Sequence, residues 1–127
     1  MPLYNVAVRG ELTQAQRSAV SLAVIKAHCG ETDAPEHFVN VYVQDRVSLK
    51  ADTQCHVNGV VRLREASDAN SRIASAVSAS IASLLNLEET TIDIVLTDIP
   101  ASWAMEGGEI LPEPGQEGGW QGLMERY

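Results

Sequence analysis

Positively charged side chains are scarce in this sequence. Only nine of its 127 residues are Lys or Arg, against seventeen Asp or Glu, and the formal net charge is -8. Such a chain repels a phosphate backbone, so we expect no nucleic-acid partner. Only Lys26 and Lys50 are lysines, so most of the basic residues are arginines. The guanidinium of arginine can bind a carboxylate through two parallel hydrogen bonds.

Cysteine, long apolar runs and metal-ligand spacing are missing as well. Cys29 and Cys55 are too few for a disulfide framework. No run approaches the ~18 apolar residues of a membrane span, and the first twenty residues lack the apolar core of a signal peptide. We therefore expect a cytoplasmic protein with no membrane partner. The histidines and cysteines lack metal-site spacing and no glycine-rich phosphate loop follows a strand, so no metal or cofactor is expected.

The first third of the chain predicts a strand, a helix and a second strand. Residues 3–9 are rich in strand-forming side chains, and Thr13 with Gln16 has the spacing of a capping box at the start of a helix. An apolar stripe with helical period follows, and Gly30 is predicted to lie just past the helix end. Residues 38–44 alternate as a strand does.

The same order then recurs. Residues 56–62 predict a strand, 67–86 a helix with one apolar stripe, and 92–96 a further strand. Strand-helix-strand crossovers give parallel pairs with the helix on one face. We therefore predict an α+β fold in which two β-α-β halves, about 2–44 and 56–97, share a four-stranded sheet with two helices on one face. The uncovered face should pack against copies of the same chain.

The remaining residues, 98–127, differ in kind. Glycine and proline recur too often for a long helix or strand, yet Trp103, Trp120 and Leu123 are too apolar for a disordered tail. We expect an arm that either caps its own subunit or packs on a neighbouring one. With this arm, residues 1–127 form a single domain.

Pro2 is the first candidate catalytic residue. Removal of Met1 would leave a secondary amine at the start of a strand, where proline is tolerated. An ordinary α-amino group titrates near ~8, and burial or neighbouring cations favour its neutral form. A base that titrates near neutrality suits proton transfer. If Met1 stays attached, Pro2 is an amide without basicity, and a protein that only binds carboxylates is the alternative.

Arg62, Arg64, His28 and Glu106 are the other candidates. The two arginines end the third strand and, in an extended chain, face the same way, where they could hold a carboxylate, although pairing with surface acids is the alternative. His28 lies near the end of the first helix, where it could serve as a cap instead. Glu106 precedes a Gly-Gly pair that could turn its carboxylate into a cleft.

Together these features resemble the tautomerase superfamily, most closely its cis-3-chloroacrylic acid dehalogenase branch. The resemblance rests on Met-Pro at the start, the doubled β-α-β unit, the histidine, the arginine after the third strand, and the tail motif LPEPGQEGGW at residues 111–120. It implies a tautomerase-like homotrimer, an amino-terminal proline as catalytic base or acid, no cofactor, and small 2-oxo or unsaturated carboxylic acids as substrates.

The resemblance also implies roles for individual residues. Pro2 would carry the proton, His28 and Arg62 would bind the substrate carboxylate, Glu106 would activate water, and Tyr4 matches an aromatic residue near the proline.

Two departures from that branch bear on the reaction. Arg64 lies two residues after Arg62 instead of three, a spacing closer to the malonate semialdehyde decarboxylase branch. In that branch an acid aligned with Glu36 completes the site, and Trp103 also fits that branch. Val95 replaces the tyrosine that assists the water-activating carboxylate. We therefore predict enol-keto tautomerisation of small 2-oxo acids, with hydrolytic dehalogenation or hydration (hydrolase or lyase chemistry) and decarboxylation as alternatives. The sequence does not identify the physiological substrate.

Overall fold

A four-stranded sheet with two helices on one face forms the body of the protein in the computed structural model, which describes residues 2–65 and 68–119. The sheet order is β2-β1-β3-β4. The elements are β1 (Leu3–Val8), α1 (Gln14–Thr32), β2 (Asn40–Gln44), β3 (Cys55–Arg62), α2 (Ala69–Leu85) and β4 (Ile92–Ile99).

The strand pairing confirms the predicted doubling. β1 pairs with β2 in parallel, β3 pairs with β4 in parallel, and the two β-α-β units meet where β1 runs antiparallel to β3. The register places Leu3 opposite Asn40 of β2 and opposite Val60 of β3. β1 is therefore a central strand of the sheet. Pro2, the residue that precedes β1, lies between β2 and β3. The α+β fold class is as predicted.

Helix α1 begins as its sequence predicts but ends later. The Thr13 side chain accepts a hydrogen bond from the Gln16 backbone while the Gln16 side chain caps the Thr13 backbone, which completes the capping box. The predicted end at Gly30 is wrong. The helix continues to Thr32 and ends at Asp33, whose left-handed backbone lets its N–H donate to the carbonyl of Cys29.

The core lies between the helices and one face of the sheet. Alternate strand residues point into it, because successive side chains of a strand face opposite ways, and they meet the apolar stripes of the two helices. The fully buried members are Tyr4, Val6, Val20, Val24, Val57, Val61, Ile73, Val77 and Ile81.

Gly59 on β3 leaves room for the Tyr4 ring. A Cβ at Gly59 would lie 2.7 Å from Cδ2 of Leu96 and 2.8 Å from Cε1 of Tyr4. We expect Gly59→Ala to lower the free energy of unfolding by about 1–3 kcal/mol through overpacking, measured by urea denaturation. Gly10→Ala is the matched control, since a Cβ there meets nothing within 4 Å. Equal midpoints for the two variants would contradict this packing.

The described part of the C-terminal arm packs on its own chain. After β4 a short hairpin forms from β5 (Met105–Glu106) and β6 (Glu109–Ile110). Leu111 then becomes buried, and its N–H donates to the carbonyl of Ala104. Trp103 is exposed. The predicted apolar anchors Trp120 and Leu123 lie outside the described residues.

In the described part of the chain, no helix combines the length and the apolar character needed to cross a membrane.

Candidate active site

Pro2 is buried and immediately precedes β1, at the end of the sheet where that strand begins. Its carbonyl accepts a hydrogen bond of 2.9 Å from the N–H of Asn40, which begins β2. One further step of the antiparallel register, from the pair Leu3 and Val60, places Pro2 beside Val61. The candidate base therefore lies next to the end of β3, where the two candidate arginines begin.

Tyr4 and His28 form a buried pair on the helix-covered face of the sheet. Tyr4 is the second residue of β1 and lies two residues after Pro2. Its phenol oxygen lies 2.7 Å from Nδ1 of His28 on α1, and the rings meet edge to face with centroids 5.7 Å apart. Both side chains are fully buried. Among the described residues, Nε2 of His28 has no hydrogen-bond partner.

The electrostatics keep this pair neutral. Burial, reinforced by the positive charges of Arg64 and Arg62, lowers the pKa of His28 to about 3. Burial raises the pKa of Tyr4 above its usual value. A buried phenol must place its proton on an acceptor, and Nδ1 of His28 is the acceptor within reach. The neutral imidazole then carries its own proton on Nε2 and can act there as a donor.

This protonation state can be read directly by NMR. We expect the ¹⁵N shifts of His28, assigned by their loss in His28→Gln, to report neutral Nε2–H imidazole from pH 8 down to pH 5. Because the folded pKa lies below the unfolded value of 6.5, the neutral ring supports folding above pH 6.5. That contribution is lost as pH falls towards 3, by at most about 1.4 kcal/mol per pH unit. Protonation of His28 near pH 6.5 in the folded protein would contradict this account.

Arg64 is the cation whose charge acts on both members of the Tyr4–His28 pair. Its guanidinium is partly buried, and its Nη1 donates to the carbonyl of Arg62 at 3.0 Å. Burial and the neighbouring charge of Arg62 lower the pKa of Arg64, while the field of Arg64 itself acts on both Tyr4 and His28. Arg64 thus brings a guanidinium to the neighbourhood of a neutral donor.

Arg62 is held differently. Its side chain is fully buried, with Nη1 donating to the carbonyl of Pro112 at 2.9 Å and Nη2 to Oε1 of Glu117 at 2.7 Å. The guanidinium carbon lies 5.4 Å from the centroid of the Phe38 ring. β3 ends at Arg62, so Arg64 is no longer in an extended strand, and the two guanidinium groups have different partners. Neither partner of Arg62 was singled out from the sequence, although both lie in the tail motif.

Glu106 lies on the β5–β6 hairpin, half-buried and paired with Glu109 across the turn. Gly107 and Gly108 make that turn with positive φ angles of 60° and 84°, the backbone freedom that the Gly-Gly pair predicts. Val95 lies on β4 opposite Asn58, on the face away from the helices, and its side chain is half exposed.

Residues 2–65 and 68–119 contain no group of three or more His, Cys, Asp or Glu side chains arranged to hold a metal ion.

No protein-family model matches the chain, and no curated protein sequence does either. Solved structures do. N1, a member of the cis-3-chloroacrylic acid dehalogenase family, superposes with a TM-score of 0.86 and 24% identity, covering 98% of this chain and 97% of that one. The F6 fused 4-OT asymmetric trimer gives 0.77 and 14%, covering 86% and 95%. A macrophage migration inhibitory factor homologue from Prochlorococcus marinus gives 0.75 and 17%, covering 87% and 100%.

These neighbours superpose on 86 to 98% of the chain. The resemblance inferred from the sequence is therefore confirmed at the level of the fold, and the chain has the fold of the tautomerase superfamily.

Proposed function

We propose that the protein is a cofactor-independent tautomerase that converts the enol form of small 2-oxo carboxylic acids to the keto form, with Pro2 as the general base. The observation that carries this proposal is the neutral Tyr4–His28 pair, whose buried Nε2 has no partner among the described residues. Tyr4, which holds this histidine, lies on β1 two residues after Pro2.

The proposed reaction moves one proton. With Met1 removed, the neutral secondary amine of Pro2 takes the proton from the enol hydroxyl. The resulting ammonium then gives a proton to the carbon of the C=C bond that does not carry the hydroxyl. The electron pair of the O–H bond becomes part of the new carbonyl as the C=C bond takes up the proton. Burial of Pro2 and the nearby arginines favour the neutral amine before reaction.

Two donors would stabilise the charge that develops on oxygen. The Nε2–H of His28 is neutral and already desolvated, so it does not need to reorganise during the reaction. Arg64 supplies a positive charge and can bind the substrate's carboxylate through two nitrogens. Tyr4 would act through His28, by fixing which imidazole nitrogen carries the proton.

Hydration and dehalogenation need one component in the site that tautomerisation does not need. Both require a water molecule held for attack, with Glu106 as its activator. The side chain at position 95 is hydrocarbon and lies on the sheet face away from the Tyr4–His28 pair. Tautomerisation requires no bound water, which favours it over hydration and dehalogenation.

The experiment that tests the proposal is the ultraviolet assay of phenylenolpyruvate ketonisation. We expect the protein, once its mass shows that Met1 has been removed, to accelerate ketonisation well above the rate in buffer. The same preparation assayed for halide release from cis-3-chloroacrylate should be slow or inactive. Ketonisation at the buffer rate would exclude the proposed function.

We also propose that the protein is a homotrimer. The sheet face away from the helices carries Leu3, Tyr42 and Val95, which are 37, 63 and 50% exposed, and a face of this kind requires a partner. The fused 4-OT neighbour is described as a trimer. Light scattering should give three times the 13.7 kDa chain mass, and Val95→Lys should lower that value. A mass of 13.7 kDa for the wild type would contradict the trimer.

A further inference from the structure

The Arg62 guanidinium is already occupied by its own chain. Nη1 and Nη2 are bound to Pro112 and Glu117, the group packs near the Phe38 ring, and its Nε is buried without a partner in the described residues. A substrate carboxylate could reach this guanidinium only by displacing Glu117.

Glu117 is itself held in place to receive this arginine. The N–H of Gly115 donates to both of its carboxylate oxygens, at 3.1 and 3.3 Å, from a turn whose positive φ of 89° suits glycine. Burial opposes ionisation of Glu117, yet the hydrogen bonds from Arg62 and from the backbone outweigh it and hold its pKa below the usual value. Glu117 is thus a preorganised carboxylate.

An internal carboxylate has an advantage over a dissolved one. Because Glu117 is tethered to the chain that carries Arg62, its effective concentration at the guanidinium is high, on the order of millimolar or more. A small acid at micromolar concentration would not displace it. Arg64 differs, since it is only partly buried and its described hydrogen bond uses Nη1 alone.

We propose that Glu117 is the permanent counterion of Arg62, and that Arg64 alone supplies the guanidinium that binds the substrate carboxylate. Arg62 is then a positioning residue. Its side chain anchors the segment that contains Pro112 and Glu117, and its carbonyl holds the Arg64 guanidinium. One available guanidinium beside a neutral histidine fits a monocarboxylic acid. For the identity of the substrate, this inference rests on the proposed tautomerase function.

The kinetic test compares phenylenolpyruvate with the enol of its methyl ester, which lacks the charge. We expect Arg64→Gln to raise KM for the acid at least about tenfold and to leave KM for the ester unchanged. Glu117→Gln should alter the position of the segment for both substrates alike, and because the charge of Glu117 also acts on Arg64, its loss should lower the acid KM by less than about fivefold. Glu113→Gln, an exposed acid four residues earlier, is the control and should change neither. A selective fall of about tenfold or more in the acid KM of Glu117→Gln would overturn the proposal, because it would mean that the freed Arg62 binds substrate.

Calorimetric titration with phenylacetate, an inert monocarboxylate, tests the same assignment without catalysis. We expect binding to weaken at least about tenfold in Arg64→Gln and to persist in Glu113→Gln. If phenylacetate binding depends on Arg64 while ketonisation is absent, the assignment stands and the proposed function fails. If ketonisation depends on Pro2 while phenylacetate does not bind, or binds equally well in Arg64→Gln, the assignment fails and the function stands.

Discussion

Pro2→Ala is expected to lower kcat/KM for phenylenolpyruvate ketonisation by about 10²- to 10⁴-fold, the usual contribution of a positioned general base. The variant replaces a rigid secondary amine with a mobile primary amine at the start of β1. Since the Pro2 carbonyl can still accept the hydrogen bond from the N–H of Asn40 in the variant, the fold should be retained. The measurement is steady-state ultraviolet kinetics on protein whose mass has been checked.

The matched control for that variant is Leu3→Val. Leu3 follows Pro2 in the chain but faces the other side of the sheet and is partly exposed, so the change leaves the amine intact. We expect its kcat/KM to stay within about threefold of the wild type. Wild-type kinetics in Pro2→Ala would remove Pro2 from the mechanism, whatever the control does.

Arg62→Met is expected to give the largest loss of stability among single substitutions near the site. Removal of the guanidinium leaves the largely buried Glu117 carboxylate without the donor it meets at 2.7 Å and also frees the Pro112 carbonyl. Breaking a buried pair costs about 3–5 kcal/mol. Because 14% of the Glu117 side chain remains exposed, we expect the lower end of that range, measured by urea unfolding at fixed protein concentration.

Two further variants test whether the loss of stability comes from the Arg62–Glu117 ion pair. Lys50→Met breaks an exposed ion pair with Asp93 and should cost less than about 1 kcal/mol. In Arg62→Met/Glu117→Gln no charge is left unpaired, so part of the stability should return, and the cycle gives the coupling energy. A loss in Arg62→Met no larger than that in Lys50→Met would contradict the anchoring role of Arg62.

The elements of the fold could be predicted because their signals are local. The Thr13–Gln16 capping box, the helical stripes and the alternation along the strands each depend on residues a few positions apart, and the repeated order then indicates two β-α-β units. The end of α1 could not be predicted from Gly30, because the competing left-handed residue, Asp33, belongs to a type that adopts this conformation less often than glycine.

The site was predictable as a set of residues but not as a set of contacts. Tyr4 and His28 are 24 residues apart and meet only because α1 packs on the sheet. Arg62 and Glu117 are 55 residues apart and meet because the arm folds back over the end of β3. Residue type and spacing predicted two similar arginines. Tertiary packing gives them different partners, which no local pattern encodes.

If the chain acts through the free amine of Pro2, the native protein must have lost Met1, and its intact mass shows whether it has. We expect a mass lower than that of the full 127-residue chain by one methionine residue, so that Pro2 is the amino terminus. A full-length mass in protein from its native host would leave Pro2 as an amide, and proton transfer by this residue would be excluded.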